Sequence, residues 1–276
     1  REYKRGRYNN WRFIHDSVWT TWVKVFFDHI TGKLTNYDLV YSLALAHFEE
    51  KEYCFAFENG WIPLSWYYTP LRQLTWINAR NTRIQLNKFT FSKKQKKTLR
   101  KENITVRIYD KLDDALFTTI SSIYKKYIKH KKFYEKNFEK ESEVFERQDY
   151  IDWKYFIYCY KDKPVAFTEL KVYDSKHVLT GQFGWDYENP RLGIGTYATL
   201  YEIDWAIKNK CKKYYLSYGY EKSNVYKSRF KGFEFWNGKS WIDNKTLYKK
   251  LCEHDTEINT LEDLNKYQRT YFTIDG

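Results

Sequence analysis

The period of the apolar positions changes several times along this chain, and each change marks an element. Residues 104–108 alternate apolar and polar, which predicts a half-buried strand. Leu112, Leu116, Ile120, Ile123 and Ile128 then recur at helical spacing, predicting a helix over 112–129, and 134–147 reads as a second. Three apolar-rich runs follow at 152–160, 164–173 and 177–187, separated by short turns, and predict a meander of strands. Gly193 and Gly195 open a helix that runs through Lys210. After it come a strand at 213–217, a helix near 221–230, short strands at 233–236 and 240–242, and a helix from Thr246.

The N-terminal part is less sharply punctuated. Residues 37–47 have helical apolar spacing, the aromatic run 53–57 suits a short strand, and 60–70, with Trp61, Pro63 and Trp66, reads as a turn-containing strand region. From 103 onward the order is β-α-α-β-β-β-α-β-α-β, the layout of GNAT acyltransferases. The expected fold is therefore α+β: a mixed, mostly antiparallel sheet flanked by helices over 103–276, preceded by a smaller aromatic-rich domain over 1–102.

Composition adds a partner class. The 276 residues are 42% hydrophobic, enough for a packed core, and carry a net charge of +13. That excess suits a polyanion such as nucleic acid, although a solvated lysine-rich surface gives the same number. Seven basic residues and no acid fall within 88–101, interrupted by Phe89 and Phe91. This strip reads either as a solvated helix face or as a phosphate-contacting surface built by Lys88, Lys93, Lys94, Gln95, Lys96, Lys97 and Arg100. With no apolar run near membrane-spanning length and no signal-peptide pattern, the chain is expected to be cytoplasmic, with no membrane partner. Cys54, Cys159, Cys211 and Cys252 are far apart and no histidines cluster, so no metal site is expected and each cysteine reads as a small buried hydrophobe. The chain has no Met, which is unusual at this length, and motif spacings are read with one residue of tolerance.

Two segments carry candidate chemistry. Glycines 193 and 195 leave backbone N–H groups free at a helix start, where phosphate or carbonyl oxygens can bind. The usual coenzyme A pattern places Arg or Gln one residue further from the first Gly than Arg191 stands here, and a plain tight turn explains the pair as well. The second segment, 214–241, holds Tyr215-Leu216-Ser217-Tyr218, then Tyr226-Lys227 through Phe230 to Glu234. With Gly195-Thr196 and Glu202 upstream, it resembles the C-terminal part of the arginyl- and leucyl-tRNA–protein transferases. Gly60-Trp61, Tyr68, Pro70, Arg83-Ile84, Phe89 and the run from Ser92 to Lys97 follow that family's N-terminal block in order. The two blocks, 60–107 and 181–241, cover 109 of 276 residues. Three departures stand out: 71–82 lacks the family's cysteine cluster, the turn before Tyr226 is short, and Gly232-Phe233 replaces a Pro-containing step before Glu234.

The resemblance implies transfer of an amino acid from charged tRNA to the α-amine at a protein N-terminus, as in N-degron tagging, with aminoacyl-tRNA as co-substrate and no bound cofactor. It implies catalytic roles for Glu202, Tyr218, Tyr226, Lys227 and Glu234, and substrate contacts for Arg83, Gly195, Thr196 and Arg229. For each acid, a salt bridge is the bland reading; for Lys227 and Arg229 it is a basic helix face over an aromatic core. Two other functions fit the same residues: an acetyl-CoA-dependent N-acetyltransferase, and a non-catalytic tRNA- or RNA-binding protein.

Overall fold

A computed structural model of the protein describes residues 12–13, 24–27, 33–34, 37–38, 44–64, 75–78, 81–131, 152–218, 222–237 and 240–254. In chain order the N-terminal elements are β1 (Arg12–Phe13), β2 (Lys24–Phe27), β3 (Lys33–Leu34), β4 (Tyr37–Asp38), β5 (Ala44–His47), α1 (Tyr53–Glu58), β6 (Trp61–Leu64), β7 (Thr75–Asn78) and β8 (Asn81–Gln85). There follow α2 (Lys93–Leu99), β9 (Ile104–Tyr109), α3 (Asp114–Lys131), β10 (Asp152–Tyr160), β11 (Lys163–Tyr173), β12 (His177–Trp185), α4 (Ile194–Lys208), β13 (Lys213–Tyr218), β14 (Phe233–Trp236), β15 (Trp241–Ile242) and α5 (Lys245–His254).

Eight strands form the main sheet in the order β15-β14-β8-β13-β12-β11-β10-β9, and β1-β2-β5-β7-β6 form a second, five-stranded sheet. The mixed α+β architecture and the meander β10–β12 match the sequence reading, as do α3, α4 and β13. Asp113 begins α3 by accepting a hydrogen bond from the Leu116 amide at 2.7 Å, and Leu116, Ile120, Ile123 and Ile128 form its buried stripe. Residues 134–147, read as a helix, lie outside the described residues, as do Tyr68 and Pro70 of the N-terminal block.

Three local readings are corrected. The helix expected over 37–47 is replaced by β4 and β5, because β5 pairs with both β2 and β7. The strand expected at 53–57 is the helix α1, which buries Tyr53, Ala56 and Phe57 at helical spacing. The segment 222–229 is a 3-10 helix rather than an α-helix. Furthermore β8, which lies before residue 103, is inserted between β13 and β14 in the main sheet, so that sheet draws strands from both sides of the expected boundary.

The main sheet buries both faces. One packs Tyr155, Ile157, Phe167 and Tyr215 against α3, α1, Ile62 and Trp76. The other packs Phe156, Tyr158, Val178 and Tyr214 against α4 and α5. Gly60 joins α1 to β6 with φ of +79°, and a Cβ there would come within 2.1 Å of the Trp236 ring, so only glycine fits.

Candidate active site

All described pairings in the main sheet are antiparallel except one: β12 and β13 run parallel, registered only over His177–Leu179 and Lys213–Tyr215. Both strands continue beyond the last couple, Leu179 with Tyr215, without pairing each other, so they part there. On its other side β13 is held to β8 through a bulge, where Ser217 has φ of +63° and its carbonyl accepts from Thr82 Oγ1 at 2.6 Å.

At the base of this opening lies a polar cluster on the α4 side of the sheet. Glu202, on α4, is only 2% exposed. Its Oε1 accepts from the Tyr158 hydroxyl of β10 at 3.0 Å, and its Oε2 accepts from the Tyr214 hydroxyl of β13. Burial pushes the Glu202 carboxyl up to about 7, even though Tyr214, Thr168 and Tyr158 all favour its ionised form. Burial first, and the Glu202 charge second, hold both tyrosines well above the ordinary phenol range. Tyr226 is 43% exposed yet sits near enough for the Glu202 charge to raise its hydroxyl, after burial. A carboxyl that titrates near neutrality is thus bonded to two hydroxyls, with the partly exposed Tyr226 nearby.

The helix start is adjacent. Gly193 takes the left-handed conformation (φ 57°, ψ 40°) and precedes α4 with no side-chain cap. The amides of Ile194, Gly195 and Thr196 therefore begin the helix without an intrahelical acceptor. Gly195 lies against β12, its Cβ position 3.6 Å from the Phe183 ring. Lys101 Nζ donates to the Leu192 carbonyl beside this turn, and α2, with Lys93, Lys94, Lys96, Lys97 and Arg100 exposed around it, packs on α4. Gln95 acts locally. With Ser92 it forms the capping box of α2, its Oε1 accepting from the Ser92 amide at 2.8 Å.

Other predicted residues are not brought to this cluster. Glu234 and Arg83 lie on the opposite face of the sheet. Arg83 is 4% exposed; its Nε donates to Glu234 Oε2 at 2.9 Å and its Nη1 to Glu58 Oε2 at 3.2 Å, while its guanidinium covers the Trp241 ring at 4.0 Å. Gln85 and Lys88 also reach Glu234, at 3.0 and 3.3 Å, so Lys88 faces an ion pair and not the α2 surface. Glu234 thus takes the salt-bridge role, the bland alternative to catalysis. In the 3-10 helix Lys227 is buried and Arg229 exposed, so the two cations do not share an environment. The side chain of Tyr218 lies outside the described residues; its backbone pairs with Asn81.

Sequence reasoning misses two groups. Tyr158 and Tyr214 are hidden among 27 tyrosines. The second group is a chain of charges on the Arg83 face: His177 Nδ1 lies 2.8 Å from Asp174 Oδ1 and its Nε2 3.5 Å from Glu58 Oε1, while Lys213 reaches Glu58 at 3.2 Å. The hydrogen bond from His177 leads the effects that hold Glu58 down at about 2. Burial opposes protonation of His177, but Asp174 and Glu58 outweigh it and raise the imidazole. Cys54, expected to be buried, is exposed beside this chain; Cys159, Cys211 and Cys252 are buried.

Two parallel strands that part beside a glycine-opened helix, within a β-α-β-β-β-α-β order, make this a GNAT-like fold. Particular structures similar to the chain include the C-terminal domain (DUF2156) named for a putative lysylphosphatidylglycerol synthetase from Agrobacterium fabrum, with 11% identity, TM-score 0.44, and coverage of 70% of this chain and 56% of that one. L-PGS from Bacillus licheniformis matches at 12% identity and TM-score 0.40, over 73% of this chain and 62% of that one. A GCN5-related N-acetyltransferase from Kribbella flavida matches at 14% identity and TM-score 0.34, over 51% and 48%. The chain spans 56% and 62% of the length of the first two. No family model and no curated protein matches the sequence. Among the described residues, no helix is long and apolar enough to cross a membrane.

Proposed function

We propose that the protein is an aminoacyl-tRNA–dependent acyltransferase that moves an amino acid onto the α-amine of a protein or peptide. The observation that carries this reading is the buried Glu202–Tyr158–Tyr214 cluster at the point where β12 and β13 part. The amine nitrogen attacks the ester carbonyl carbon of the aminoacyl-tRNA, and the amide bond forms as the ester C–O bond breaks. Free amides at Gly195 and Thr196 stabilise the oxyanion. Glu202 takes one ammonium proton through its tyrosine partners, and the second nitrogen proton passes to the departing ribose oxygen, which leaves as a hydroxyl. Exposed cations on α2 hold tRNA phosphates without selecting sequence, and Tyr226, partly exposed at the cluster, stacks on the unpaired terminal base.

Acetyl transfer from acetyl-CoA is the second reading, favoured by the left-handed Gly193 turn with Lys101 beside it, a cradle suited to pyrophosphate. A transfer assay decides between them, using the full chain, labelled bulk aminoacyl-tRNA and short peptides beginning with Asp, Glu, Lys, Arg or Ala. Parallel arms supply acetyl-CoA, or phosphatidylglycerol vesicles as acceptor. Labelled peptide from the tRNA arm, lost in Glu202→Gln, supports the proposal; product only with acetyl-CoA establishes the second reading. Label in lipid alone keeps the donor and replaces the acceptor, and tRNA binding without product leaves a binding protein.

A further inference from the structure

Although the sequence has no paired cysteines and no grouped histidines, the fold assembles a set of metal-ligand side chains. Cys54 comes from α1, Asp174 from the tight turn between β11 and β12, and His177 from the first position of β12. One donor atom from each lies within 4.8 Å of the other two. A thiol, an imidazole and a carboxylate form a donor set suited to zinc.

The imidazole is held in the orientation such a site needs. His177 is 2% exposed and stacks on Phe57 at 4.8 Å with an interplanar angle of 8°. Asp174 faces Nδ1, and Glu58 faces Nε2. A ligating histidine commonly gives its second N–H to a carboxylate, which fixes tautomer and ring direction. Glu58 is placed to receive it, and is itself anchored by Arg83 and Lys213. Cys54 and Asp174 are both exposed, so an ion has an entry path and room for a water as fourth ligand.

We propose that Cys54, Asp174 and the Nδ1 edge of His177 bind one Zn²⁺ ion, with Glu58 as the outer partner of the imidazole. The ion ties α1 to the head of β12 and displaces the thiol proton and the proton at Nδ1. It lies on the Arg83 face of the sheet, away from Glu202, and the site stands or falls independently of the transferase reading.

Cobalt titration of the full chain, stripped with a chelator and kept reduced with a phosphine, tests the site. One equivalent of Co²⁺ is expected to produce a thiolate-to-cobalt charge-transfer band in the near ultraviolet, which Zn²⁺ then bleaches. Because Cys54 is exposed, Cys54→Ser is expected to keep the wild-type circular dichroism and lose the band. Asp174→Asn is expected to weaken cobalt binding by about 10-fold or more, the loss seen even for outer partners, while Cys211→Ser leaves the titration unchanged. Absence of a sulfur band in the wild type, saturation only at millimolar cobalt, or a band that survives in Cys54→Ser overturns the proposal.

Discussion

Glu202 and Glu234 are both buried glutamates packed on one sheet, and the two faces of that sheet treat them in opposite ways. On the α4 side Glu202 meets hydroxyls, so burial dominates and the proton is retained to about pH 7. On the other side Glu234 meets Arg83, Gln85 and Lys88, and its charge is compensated where it forms. The difference separates two uses of a buried acid. Without a counter-ion it exchanges protons near neutrality, whereas with an arginine it fixes the positions of strands.

That contrast can be broken by exchanging the roles. Glu202→Gln is expected to lower kcat by roughly 10²- to 10⁴-fold, the range for removal of a general base, while the protein stays folded. Glu234→Gln is expected to lower stability and leave turnover of the folded enzyme near wild type. If the two variants show the reverse pattern in a transfer assay and a urea melt, the assignment of roles is wrong. Arg83→Met removes the buried cation between Glu234 and Glu58, and is expected to cost up to about 3–5 kcal/mol in urea unfolding, the range for breaking a buried pair.

Titration sharpens the same comparison. The native Glu202 carboxyl is raised from 4.5 to about 7, so its stabilising effect is complete below pH 4.5 and is lost as pH rises through 7. The unfolded state ionises first, and Glu202 alone accounts for a fall of about 3 kcal/mol across that window. Glu169, fully buried on the opposite face and also raised to about 7, adds a fall of the same sign. Thermal melts between pH 4 and 8 are therefore expected to show a shallower fall with rising pH in Glu202→Gln, the remainder coming from Glu169 and from His177, whose imidazole is also raised. The smallest effect concerns salt: Lys97→Ala is expected to reduce the salt slope of tRNA binding by about 1. Lys88→Ala is expected to leave the slope unchanged, because Lys88 serves Glu234.

What the sequence disclosed follows from how local each signal is. The stripe of α3 and the meander β10–β12 are legible because each is written in one continuous period. Residues 37–47 mislead because pairing of β5 with β2 and β7, distant in sequence, overrides their helical spacing. Glu202 is found by its motif position, but its partner Tyr158 lies on a strand 44 residues earlier and is joined to it only by sheet order. Glu234 and Arg83 stand on equal grounds with Glu202 in the motif, and nothing in a linear motif tells which face of a sheet a side chain takes.

The insertion of β8 between β13 and β14 has a consequence for how the chain is made. Arg83 emerges from a ribosome 151 residues before the glutamate it will bind, so β8 waits without its sheet neighbours β13 and β14 while most of the sheet is still being synthesised. Closing so long a loop is slow, and open strand edges invite pairing with other copies. A fragment cut at residue 103 would leave β13 and β14 without the strand between them. Nascent-chain aggregation, rather than weak catalysis, is the failure to expect from such a truncation.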